Sequence, residues 1–111
     1  MSKGAREELI FAVSVSSFTQ GGYLGSASYE GSAVDLEFDD RDAGVFLTPE
    51  MSKKIGTKSG SKVLIIIESE SEPLVAESVM AGTAAKPRIS SARVYYELGK
   101  EGGGILRVRK A

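Results

Sequence analysis

The chain has 111 residues, 26% of them charged and 41% hydrophobic, with a net charge of −1. That is enough for one folded domain with its own core, and the balance excludes a disordered chain. Cys, His, Trp and Asn are all missing, so disulfides, thiolate chemistry, sulfur-ligated zinc and every Ser-His or Cys-His mechanism are excluded. The depletion of chemically labile residues also fits a heat-adapted protein.

Met1 to Glu8 is polar and reads as a disordered N-terminus, leaving 9–111 as a single domain. Leu9 to Val15 (LIFAVSV) is rich in aliphatic and β-branched residues and predicts a strand. It is too short and unflanked for a signal peptide, and no stretch reaches the ~20 apolar residues of a membrane span. The expected location is cytoplasmic. Ser16 to Gly25, punctuated by Gly21, Gly22 and Gly25, predicts a loop. Ser26 to Phe38 reads as one or two strands, because Val34, Leu36 and Phe38 alternate with Asp35 and Glu37. Asp39 to Gly44 is a turn, and Val45 to Leu47 a short strand.

Thr48-Pro49-Glu50 then gives a helix start: a capping hydroxyl, a proline suited to the first helical position, and an acid in the first turn. Met51 and Ile55 share a face, and Gly56 ends the helix. Val63 to Ile67 (VLIII) predicts a strand buried on both faces. Leu74 to Met80 is another strand, Gly82 to Lys86 a loop, and Arg88-Ile89 the start of a short strand. Ser91 to Leu98 predicts a second helix with Gly99 as its cap, followed by a turn at Gly102 to Gly104 and a last strand from Ile105 to Arg109.

A shift of 43 positions (89 minus 46) superposes two segments of this plan. Phe46 falls on Ile89, Thr48 on Ser91, Met51 on Val94, Ile55 on Leu98 and Gly56 on Gly99. Further on, Gly60 falls on Gly103, Val63 on Leu106 and Ile65 on Val108. Each copy reads strand, capped helix, glycine turn, strand. Self-similarity at a fixed offset predicts two copies of one unit sharing an interior.

The stretch VFLTPEMSKKIGTKSGSKVLIII (Val45 to Ile67), with its second copy from Pro87 to Lys110, resembles the repeat of double-psi β-barrels. The resemblance implies a mainly β fold: a six-stranded double-psi β-barrel with two short helices and an internal pseudo-twofold repeat. The spacing is similar to the barrel in the N-terminal domain of Cdc48-type AAA ATPases, which recruits adaptors and substrates. It is similar also to the molybdopterin-dinucleotide-binding domain of formate and formylmethanofuran dehydrogenases, where a Thr-x-x-Gln-Gly segment precedes the repeat. Thr19, Gln20 and Gly21 partly match that segment and would be the cofactor-binding residues, although the family's Arg, Trp and Asn are missing. A third relative, the AbrB-type DNA binder, uses one such unit per chain. Two units here and the acidic balance argue against DNA. Tyr29-Glu30-Gly31-Ser32 matches the self-cleavage sequence of pyruvoyl-dependent aspartate decarboxylase, but lies about a dozen residues too early against the repeat.

Glu37, Asp39, Asp40 and Asp42 lack the spacing of a calcium loop and read as solvated turn residues, as do Glu68, Glu70 and Glu72. Gly102-Gly103-Gly104 lacks the Lys-Ser/Thr of a phosphate loop. Of Tyr95 and Tyr96, adjacent on a helix, one should enter the core and one stay outside. Phe18 and Tyr23 in the glycine-rich segment, and Lys53, Lys54 and Lys58 around the first helix, are the candidate contacts for a protein partner. The expectation is a binding module or accessory subunit without catalysis of its own. Its partner would be a protein, and its cofactor none or, alternatively, molybdopterin dinucleotide.

Overall fold

The computed structural model describes residues 7–19, 22–68 and 73–111. Nine strands and two helices lie among the described residues: β1 (Glu8–Thr19), β2 (Gly22–Tyr29), β3 (Ser32–Val34), β4 (Glu37–Asp39), β5 (Gly44–Leu47), α1 (Pro49–Lys54), β6 (Lys62–Glu68), β7 (Pro73–Thr83), β8 (Arg88–Ser90), α2 (Ala92–Glu101) and β9 (Gly103–Lys110). The fold is mainly β, and no helix among the described residues is long and apolar enough to cross a membrane. The strands hydrogen-bond in the order β3-β2-β1-β9-β6-β7-β5-β8-β4. That order is open, from β3 to β4, with nine strands where six in a closed barrel were expected.

Part of the added strand length comes from segments whose glycines predict loops, while β3 and most of β4 lie within Ser26 to Phe38, which was expected to hold one or two strands. Ser16 to Gly25 is mostly strand: β1 runs to Thr19 and β2 begins at Gly22. Paired backbone groups satisfy one another, so a glycine-containing segment joins a ladder whenever its partner strand lies alongside. Gly82 to Lys86 likewise begins as the end of β7, and Gly103 and Gly104 open β9. The Tyr29-Glu30-Gly31-Ser32 tetrapeptide is a hairpin turn between β2 and β3, with Tyr29 opposite Ser32. Glu30 and Gly31 have φ of 53° and 82°, the mirror-image turn that suits a two-residue hairpin.

One core holds the molecule together. Leu9 and Phe11 of β1, Val63, Ile65 and Ile67 of β6, and Leu106 and Val108 of β9 are fully buried. In β6 these alternate with Leu64 and Ile66, which are only partly buried, so the VLIII run faces the core with one side rather than two. The helices close the core with Met51 from α1, Ile55 at its C-cap, and Val94, Tyr95 and Leu98 from α2. Ile55 and Leu98 therefore share one interior.

Both helices start as their sequences dictate. Thr48 Oγ1 accepts from the Met51 N–H at 3.2 Å, and Ser91 Oγ from the Val94 N–H at 3.3 Å. Their ends differ. α2 runs through Gly99 to Glu101 and is capped by Gly102 in the left-handed conformation. Gly99 thus costs its helix some propensity but does not stop it, because Leu98 is held in the core and a second glycine waits one turn on.

The ladders follow the 43-residue offset. β5 and β8, which superpose under it, pair with each other, as do β6 and β9. Ile65 sits opposite Val108, its own counterpart. Val63 pairs with Lys110, and the shifted pair, Leu106 with Ile67, is also present. In the short strands Val45 pairs with Ile89, and Phe46 with Arg88, its shifted equivalent.

Candidate functional site

β1 and β2 outrun the rest of the sheet. β9 accompanies β1 only from Glu8 to Ser14, where Ser14 meets Gly103, and Val15 adds one last bond from its N–H to the Gly102 carbonyl at 3.0 Å. β3 accompanies β2 only over Ala27 to Tyr29. Beyond these limits β1 and β2 continue with each other: Val15 opposite Gly25, Ser17 opposite Leu24, Phe18 opposite Tyr23, and Thr19 opposite Gly22. A bulge at Ser16 between the first two pairs increases the local twist. The result is a two-stranded arm, and the molecule is elongated, 43 × 27 × 25 Å.

Two glycines fit the arm's root around Ser14. A Cβ on Gly25 of β2 would lie 2.1 Å from the Ser14 carbonyl oxygen, and one on Gly103 of β9 would lie 2.2 Å from that of Val13. Only hydrogen fits on either side of β1 there. A groove of about 950 Å³ opens beside this root. Small side chains of β1 and β2 (Ala12, Ser14, Ser26, Ser28) line it, with Ile105 and the carboxylates of Glu68 and Glu101 at its edge.

The candidate contact residues fall into two separate groups. Phe18 and Tyr23 are paired positions near the end of the arm. Thr19 is the last residue of β1, and Gln20 and Gly21 lie outside the described residues. Lys53 and Lys54 close α1, and Lys58 follows in the next turn. Lys53 and Lys58 are exposed, whereas Lys54 is engaged within the chain. Its Nζ donates to Glu30 Oε2 at 2.6 Å and lies 5.6 Å from the centre of the Tyr29 ring. The Glu30 bond raises the Lys54 pKa, and the Lys54 ammonium in turn lowers that of Glu30. This clamp is at the base of β2. Tyr23 is six residues further along the strand, roughly 20 Å away at the usual rise per residue.

The acidic run is a set of structural ties, each carboxylate with a partner of its own. Glu37 pairs with Lys86 at 2.7 Å. Asp39 accepts from the Ser90 hydroxyl and from the Arg41 N–H and guanidinium. Burial pushes its pKa up, but these hydrogen bonds together outweigh that and hold it below the ordinary carboxylate value. Asp42 Oδ1 accepts from the Ala92 N–H at 2.7 Å, at the start of α2. Asp40 accepts from the Tyr96 hydroxyl at 3.2 Å, while Tyr95 is buried. No three metal-ligating groups converge among the described residues. Glu68 is tied to Arg107 at 2.9 Å, and Glu70 and Glu72 lie outside the described residues.

The arm has a sequence signal that glycine punctuation hides. From Leu9 to Tyr29 there is no Asp, Glu, Lys or Arg, in a chain where 26% of residues are charged. That gap coincides with the paired part of β1 and β2. Comparison of the chain with protein-family models, with curated proteins and with solved structures finds no match.

Proposed function

We propose that this chain is a non-catalytic protein-binding module: a double-psi barrel of two similar halves, carrying an inserted strand arm that contacts the partner. The strand pairing supports the barrel. β7 pairs with β6 through Pro73–Met80 and, in parallel, with β5 through Ala81–Thr83. Moving β6 and β5 by 43 residues gives β9 and β8, whose corresponding partners are β1 and β4, the latter also parallel. β1 and β4 together therefore stand where β7 stands alone. Counting them as one strand, and setting β2 and β3 aside, leaves six. The chain between Ser14 and Leu36 is then an insertion that the second half lacks, and function is commonly carried by such additions to a fold.

The observation that carries this reading is the arm itself. A two-stranded ribbon is marginal in water and gains stability when a further strand or surface covers it. Its uncharged sequence suits such cover, since burying charge is costly.

The test is site-specific photo-crosslinking in the native cell. A benzophenone amino acid at position 23 should give a discrete adduct, and the same probe at position 53 should give none. Adducts from position 53 alone would move the binding surface to the lysines of α1 and end the arm reading.

A further inference from the structure

β3 ends the sheet on one side and pairs with β2 at three positions, against seven between β1 and β9. Ser32 and Ala33 are exposed, and Val34 is the residue of this strand that packs against the core. In a two-residue hairpin of this kind Tyr29 with Ser32 and, by alternation, Ala27 with Val34 are the hydrogen-bonded pairs. So small a ladder is marginal without further support. Beyond Val34 the chain is anchored again. Leu36 is buried, and the Glu37 N–H donates to the Pro87 carbonyl at 3.1 Å.

Each end of this short segment carries a carboxylate, and each carboxylate meets a lysine of the body. Lys54 of α1 donates to Glu30 at 2.6 Å, and Lys86, in the connection before β8, donates to Asp35 at 3.1 Å. Lys86 also reaches Glu37 at 2.7 Å, on the anchored side of Leu36. The side chains of Lys54, Glu30, Lys86 and Asp35 are each at least one-third exposed, so both pairs are weak and are screened by salt. The pairs of Arg107 with Glu8 and Glu68, by contrast, join strands that already share long ladders. A cleft of about 550 Å³ already separates the segment from the body, with Glu30, Val34 and Asp35 on one side and Met51, Lys54 and Lys86 on the other.

We infer that residues 30–35 form a strap that Lys54 and Lys86 hold shut, and that loosening both lysines lifts β3 off β2 while the rest of the molecule stays folded. The strap does this whether or not the arm is the binding element. Its opening frees the outward backbone groups of Ala27 and Tyr29 and widens the cleft over Met51. The strap remains tethered at both ends, because Tyr29 stays paired with Phe11 and Leu36 stays in the core. It therefore moves as a closed loop between the hairpin turn and Leu36. Two screened ion pairs on a three-position ladder make this opening sensitive to ionic strength. The longer ladders of β1, β9 and β6 do not share that sensitivity.

The test is amide hydrogen exchange of the full-length protein, followed residue by residue by NMR. In the double variant Lys54→Met with Lys86→Met, the N–H groups of Ala27 and Val34 should exchange ~5-fold or more faster than in the wild type at low salt. The wild type should show the same acceleration in about 1 M sodium chloride, where the screening length falls to about 3 Å. Lys54→Arg with Lys86→Arg keeps both charges and should keep the slow exchange. The N–H groups of Leu106 and Val108 should stay within about twofold throughout. Val34 exchange left unchanged by the double variant, or by salt, would show that packing and not the lysines holds β3, and would overturn the inference. Equal acceleration at Leu106 and Val108 would show a general loosening in place of a strap and would overturn it as well. The salt series on the wild type decides the matter should a variant fail to fold.

Discussion

Gly25 and Gly103 flank the same two residues of β1, and neither was legible as a packing glycine. In the sequence both read as turn punctuation, because a glycine's two uses, positive φ and close approach, leave the same letter. The contacts separate them. Gly25→Ala would force a Cβ to 2.1 Å from a carbonyl oxygen, and Gly103→Ala would add a φ of 120° to an approach of 2.2 Å. Each should destabilise the protein by about 2–3 kcal/mol, because backbone rather than a flexible side chain has to give way. Ser26→Ala, on the exposed surface next to Gly25, should change stability by less than about 0.5 kcal/mol. Urea unfolding of the three variants measures this. A cost under about 1 kcal/mol at both glycines would mean the strands have room to shift.

At the scale of elements, the local signals were read correctly where the chemistry was local. Thr48 caps α1 with the geometry its sequence implied, and Thr48→Ala should cost about 1 kcal/mol in chemical denaturation. The acidic turn shows the opposite case. Its carboxylates looked solvated because their partners, Ser90, Lys86, Ala92 and Tyr96, lie about 50 residues away in sequence. Asp39 ties β4 to β8, and its folded-state pKa lies below the ordinary 3.8. A depressed carboxylate pKa stabilises the fold above the unfolded value, and that contribution is lost as pH falls through the folded value. Asp39→Asn should therefore be less stable than wild type at neutral pH and show a flatter decline on acidification. The gap between them should narrow below about pH 4, as thermal melts between about pH 2 and 7 would record. Parallel curves for the two proteins would show that Asp39 forms no such link in solution.

At the scale of the whole molecule, the separation of arm from body makes a further prediction. Ser14 and Ser26 are directly opposite each other, so residues 15–25 can be replaced by Asn-Gly, a pair suited to a two-residue hairpin turn. The shortened chain should keep its cooperative unfolding, since the buried residues of β1 end at Val13 and only the partly buried Val15 is lost from the core's margin. It should also lose the crosslinks made from the arm. Loss of cooperative folding would instead make the arm part of the body.

By itself, the sequence determined the strand-rich character of the chain, its two helix starts and the 43-residue periodicity that the ladders obey. These rest on side-chain alternation, capping hydroxyls and aliphatic spacing, which act within a few residues. Only the tertiary structure decided that residues 16–19 and 22–25 pair as an arm, that α2 continues through Gly99, and that the acidic turn joins strands. In each case the partner is remote in the chain: β1 and β2 extend because they have each other, and Gly99 stays helical because Leu98 is held in a core built by other elements.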